Sequence, residues 1–174
     1  MNPKIVLLIV AALPFAFLRA ADESTSARAL KQLKTLAGNW EGGFEWTGAR
    51  TGNGQIKATY YTTGNGSALV ENLIMKDAPV MTSVYHLDGA DLRMTHFCGA
   101  QNQPRLKAKQ IDLAKGIIDF DFVDITNLPT PDAPHVHGLE MRLIDPNHLT
   151  ITFLFQSGGN ESRENIVLKK IRPS

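Results

Sequence analysis

The chain is poor in cysteine, with Cys98 the only one among 174 residues. No intrachain disulfide can form, so packing and hydrogen bonding alone must hold the fold. Charge of one sign is also lacking. Lys and Arg number 18 against 17 Asp and Glu, a formal charge of +1, and no block of like charge stands out. That balance removes the usual footprint of a nucleic-acid or anionic-membrane binder. Several enzyme motifs are missing. There is no phosphate loop, no dinucleotide fingerprint, no His-Glu-x-x-His pair and no Gly-x-Ser-x-Gly elbow. Triads also assemble from scattered residues, so these absences leave enzyme activity open.

Long hydrophobic runs are scarce too. The one extended run, Ile5 to Leu18, is broken by Pro14. It falls short of the roughly 20 residues a membrane-spanning helix needs. Lys4 precedes it, and Leu18-Arg19-Ala20-Ala21 offers a small-residue exit. Residues 1–20 therefore read as a secretory signal peptide, cut after Ala20 or Ala21. An uncleaved anchor is the competing reading. The expected protein is exported, periplasmic or secreted, with no stable membrane insertion of its mature chain. The remaining length, about 150 residues, suits one domain with one core.

What is present falls into two patterns. In residues 21–38, Ala29, Leu30, Leu33, Leu36 and Ala37 recur at helical spacing. Asp22 to Ser26 supply capping groups before them, and Gly38 can stop the run. Across residues 39–174 the period changes to two. Trp40, Phe44 and Trp46 alternate with polar neighbours, and Ile56, Ala58 and Tyr60 do the same. Turn signals such as Gly64-Asn65-Gly66, Asp88-Gly89 and Asp145-Pro146-Asn147 separate such segments. About ten short strands after one short helix predict an all-β fold, an up-and-down antiparallel barrel. One connection is longer: Asp124 to Pro134 carries Pro129, Pro131 and Pro134. Such a stiffened loop either lies over the barrel mouth or simply links two strands.

Alternation also assigns inward and outward side chains. His96 shares parity with Leu92, Met94 and Cys98, and His137 with Leu139, Met141 and Leu143. Both imidazoles are expected to face inward. Cys98 then reads as a small buried hydrophobe rather than a reactive thiol. His148 and His86 are expected outside. Glu140 is placed toward solvent. Glu71 shares parity with Leu69, Leu73 and Met75 and falls near Tyr60. Val70 and Ile74 are also apolar, so the side taken by Glu71 stays open.

Leu36-Ala37-Gly38-Asn39-Trp40-Glu41-Gly42 resembles the Gly-x-Trp opening of the calycin superfamily, which includes lipocalins, fatty-acid-binding proteins and nitrobindin-like barrels. The resemblance implies that Trp40 closes one barrel end beneath a basic residue: Arg172, Lys170 or Arg163. Met81 to Gly89, Leu92 to Cys98, Gly99 to Arg105, the pair His135 and His137, and Asp145 to Thr150 are similar to a group of uncharacterised exported bacterial proteins with a lipocalin-like barrel. That likeness implies a fold and a bacterial source, but no activity. Nitrobindin-like members bind haem through a late-strand histidine. The segment Asn39 to Phe44 fits their glycine-rich opening only in part, and no residue here matches that ligand.

These readings predict a barrel that binds a small hydrophobic ligand in its interior. The expected lining is Phe44, Trp46, Tyr60, Leu92, Met94, Phe120, Phe122, Leu139, Met141, Ile151 and Phe153. His96 and His137 would orient the ligand, with Gln103 and Arg105 from the polar run Gln101 to Arg105. That run could equally be a hydrogen-bonded brace. The alternative is a metal- or haem-binding protein, possibly an enzyme, using His96, His135 and His137. His-x-His on one strand face is a chelating geometry, yet such pairs are more often metal-free polar clusters.

Overall fold

A computed structural model describes residues 23–172. The expected leader, residues 1–20, lies outside them. Helix α1 (Thr25–Lys34) begins at Ser24, whose Oγ accepts from the Ala27 amide at 3.2 Å. This satisfies one of the amides a helix start leaves free. Lys31 and Lys34 occupy its last turn, where they oppose the helix dipole.

Ten strands follow: β1 (Gly38–Gly48), β2 (Gly52–Thr63), β3 (Ala68–Met75), β4 (Ala78–Asp88), β5 (Asp91–Phe97), β6 (Gln103–Asp112), β7 (Ile117–Thr126), β8 (His135–Asp145), β9 (His148–Ser157) and β10 (Asn160–Lys170). Each pairs antiparallel with the next, and β10 returns to β1 to close the barrel. The closed up-and-down barrel with one short helix is the architecture the period-two pattern predicts. Closure leaves no sheet edge to template aggregation.

The seam between β1 and β10 depends on a glycine. A Cβ on Gly42 would stand 1.8 Å from the Val167 carbonyl oxygen. No side chain fits there, which is why the opening of β1 is glycine-rich.

One barrel end is plugged. Ala29, Leu30 and Leu33 of α1 join the core with Leu36 and Trp40. Burying each leucine stabilises the fold by about 1.5–3 kcal/mol. The Trp40 indole donates to the Leu36 carbonyl at 2.8 Å and meets the Tyr60 ring edge-on. Lys170 lies across Trp40, its Nζ 5.4 Å from the ring centre and donating to the Thr35 carbonyl at 3.0 Å. Of the three basic candidates, Lys170 is therefore the one that packs over this tryptophan. Arg163 is exposed and pairs with Glu140. Above the plug, Tyr85, Met94, Leu106, Phe120, Met141 and Phe153 fill the barrel, as expected for a barrel of this size.

Candidate functional site

The packing stops before the far end, where the strands enclose a cavity of about 610 Å³. Its walls are Phe44 and Trp46 of β1, Met75 of β3, Met81 of β4, Val136 of β8 and Phe153 and Phe155 of β9. Ala49, Arg50, Gly99, Ala100 and Pro134 stand at the rim on the connecting turns. The proline-rich connection does reach this mouth. Gly158 donates to Asp132 at 3.0 Å, and Asn102 donates through its amide to Pro134 at 2.8 Å.

The polar contribution comes chiefly from β10. Ser162, Glu164, Ile166 and Leu168 all point inward. Ile166 and Leu168 belong to the core, whereas Ser162 and Glu164 face the cavity. Glu164 lies in register between Trp46 on β1 and Phe153 on β9, and is only 4% exposed. Burial pushes its carboxyl up to about 7, against the pull of the Arg50 charge and a hydrogen bond from Trp46. The Arg50 guanidinium stacks 3.9 Å above the centre of Trp46, and its amide donates to Ser162 Oγ at 2.9 Å. Cys98 also lines the cavity, and burial raises its thiol, so it is a poor nucleophile there.

A second polar group lies deeper, sealed from the cavity. Glu71 is fully buried and accepts from Tyr60 Oη at 2.8 Å, Tyr85 Oη at 3.1 Å and Ser83 Oγ at 3.3 Å. Ser83 Oγ is also 3.0 Å from His96 Nδ1. Burial raises the Glu71 carboxyl, and the three hydroxyl donors oppose that rise. Burial and the neighbouring Glu71 raise both tyrosines well above their ordinary values. Burial alone holds His96 down at about 4, so the ring is neutral near pH 7. While Glu71 is ionised, Ser83 donates to it and accepts from His96 Nδ1–H. Nε2 is then a bare acceptor, and it has no partner among the described residues. The imidazole lies 4.9 Å from Phe153, whose ring forms cavity wall. His96 is thus one ring away from the cavity rather than in contact with it.

The other expected site residues separate. Tyr60, Met94 and Met141 are inward but belong to the packed core, and of the expected lining Phe44, Trp46 and Phe153 face the cavity. His137 is a correction: it is exposed and stacks on Phe122 at 4.8 Å. A bulge explains it. Val136 pairs with Phe155 and Gly138 with Leu154, so His137 is the extra residue and Val136 takes the inward place. Phe122 is corrected with it, being only half-buried and outside the core where the β6–β7 register shifts. His135 is 8% exposed, with Nδ1–H donating to Ala133 at 2.8 Å. Gln103 and Arg105 turn to β7 instead of the cavity. Gln103 accepts from Thr126 at 2.9 Å, and Arg105 forms a two-pronged pair with Asp124. The polar run is the brace, not the grip. Glu71 does face inward beside Tyr60, while Glu140 pairs with arginines on the outer side. His148 is exposed beside Asp145, and His86 also lies outside the core.

Metal and haem fare differently from a small apolar guest. Among the described residues, no group of three or more His, Cys, Asp or Glu side chains could hold a metal ion. No histidine lines the cavity, so the residues present do not fit a histidine-ligated haem there.

The chain matches no known protein-family profile and no curated protein. Solved structures do resemble it. Rv2717c from M. tuberculosis superposes with a TM-score of 0.53 at 16% identity, over 83% of this chain and 98% of that one. A protein of unknown function from the DUF3598 family of Nostoc punctiforme gives a TM-score of 0.54 at 11% identity. That match takes in 80% of this chain and spans 49% of the other. The chain therefore shares a barrel fold with bacterial proteins. At these identities the likeness is one of fold alone.

Proposed function

We propose that this barrel binds one small, mostly apolar molecule in its open cavity. The supporting observation is an unfilled, aromatic-walled space in a barrel whose other end is packed solid. Its size of about 610 Å³ falls within the roughly 300–1,000 Å³ of ordinary ligand pockets. Few polar groups enter it, the usual arrangement for orienting an apolar guest. Export accompanies this reading: residues 1–20 have the charge, apolar run and exit of a signal peptide. No helix among the described residues is long and apolar enough to cross a membrane.

The test uses tryptophan fluorescence. Trp40→Phe leaves Trp46, a cavity wall, as the only reporter among the two tryptophans. Titration with octan-1-ol should give a saturable change with one site per chain, and raise the melting temperature. A flat titration with an unchanged melting temperature contradicts the proposal.

A further inference from the structure

Resting on the cavity reading, we infer that the guest is a cationic amphiphile: an organic amine whose ammonium group sits against Glu164, with its apolar body among the aromatic rings. The carboxyl of Glu164 is buried, inward and part of the cavity wall. No Lys or Arg among the described residues forms a salt bridge with it. A buried carboxylate without a counter-ion is costly, and a ligand that brings the missing positive charge relieves that cost. The surroundings suit a cation as well. Trp46 and Phe153 flank Glu164 in register, and Phe155 meets Trp46 edge-on at 5.5 Å. Aromatic faces attract cations and disfavour anions.

Arg50 is the rival anchor, since its charge would favour a carboxylate ligand. It is exposed at the rim, where water and salt weaken its field, and it already rests on Trp46. Glu164 is desolvated, so its field acts within the cavity with less screening. The charged or titratable groups around Glu164 are Arg50 on the β1–β2 turn and Cys98 on the β5–β6 turn. From β9 come only Phe153, Phe155 and Ser157. Arg50 acts on Glu164 through its charge but forms no salt bridge with it, and neither Cys98, whose thiol is held neutral, nor β9 supplies a contacting cation. Binding the ammonium ion draws Glu164 into its ionised form and releases its proton to solvent.

The experiment compares octylamine, octan-1-ol and octanoate, which share one tail, by calorimetric titration below their micelle concentrations. Octylamine should bind at least about tenfold more tightly than the other two. Its affinity should rise about tenfold between about pH 6 and about pH 8, as the carboxyl that sits near 7 ionises. Octan-1-ol affinity should stay level over that range. Glu164→Gln keeps the shape and should abolish both the amine preference and its pH dependence. Equal binding of all three compounds would leave the cavity reading standing and overturn the inference. Preference for octanoate that is lost in Arg50→Gln would overturn it in favour of an anion at the rim. Absence of all binding would sink the cavity reading and this inference together.

Discussion

Glu71→Ala should be among the most damaging single changes in the barrel. The wild-type carboxylate accepts from Tyr60, Tyr85 and Ser83 at 2.8, 3.1 and 3.3 Å, and all three hydroxyls are at most 2% exposed. Removing the acceptor strands these donors where water does not reach. Each orphaned hydroxyl costs roughly 1–3 kcal/mol. Relief from burying the carboxylate offsets part of the sum, leaving a net loss of about 3–5 kcal/mol. That is a large share of the 5–15 kcal/mol, roughly, that stabilises an ordinary domain. Tyr85→Phe, which removes one donor and strands none, should cost only about 1 kcal/mol. Urea unfolding followed by far-ultraviolet circular dichroism measures both. If Glu71→Ala unfolds within about 1 kcal/mol of wild type, the reasoning about buried hydroxyls is wrong at this site.

Two buried groups should set opposite pH dependences. His96 titrates near 4 folded and 6.5 unfolded, so the unfolded chain takes up a proton the folded chain refuses, and stability is lost as pH falls through that window. Glu164 titrates near 7 folded and 4.5 unfolded, so its contribution is full below 4.5 and is lost as pH rises to about 7. Melting temperatures between about pH 4 and about pH 7 should therefore climb more steeply with pH in Glu164→Gln than in wild type. In nuclear magnetic resonance the His96 ring should stay neutral to about 4, and a His96 midpoint at 6.5 or above would refute its burial. Gly42→Ala should cost about 3 kcal/mol or more, because its Cβ collides with backbone at the seam between β1 and β10. A fully stable Gly42→Ala barrel in thermal melts would mean that this seam is looser than the geometry requires.

The barrel was legible because alternation is local: a period of two needs no knowledge of the partner strand. The same rule found His96, but it left the side taken by Glu71 open, because Val70 and Ile74 are as apolar as Leu69 and Leu73. It failed at His137, since a bulge adds one residue without any mark in the hydrophobic pattern, and every side chain beyond it changes face. Glu164 was within reach of that rule. Its parity with Ile166 and Leu168 marks it as inward, but a lone carboxylate in a strand has no motif to draw notice. The cavity itself was not legible. It exists because the core side chains stop short of one barrel end, and that depends on how ten strands meet rather than on any one of them. Arg50 had no local signal either, because its contact with Trp46 follows from the turn geometry.

Methionine methyl resonances give the most direct test of the central claim, that a small apolar molecule enters this cavity. Met75 and Met81 line it, while Met94 and Met141 are buried in the packed core below. In protein labelled at the methionine methyls, octan-1-ol should shift the Met75 and Met81 signals saturably and leave Met94 and Met141 close to their starting positions. If no methionine signal moves, or if Met94 and Met141 move while Met75 and Met81 stay still, the ligand does not occupy the cavity described.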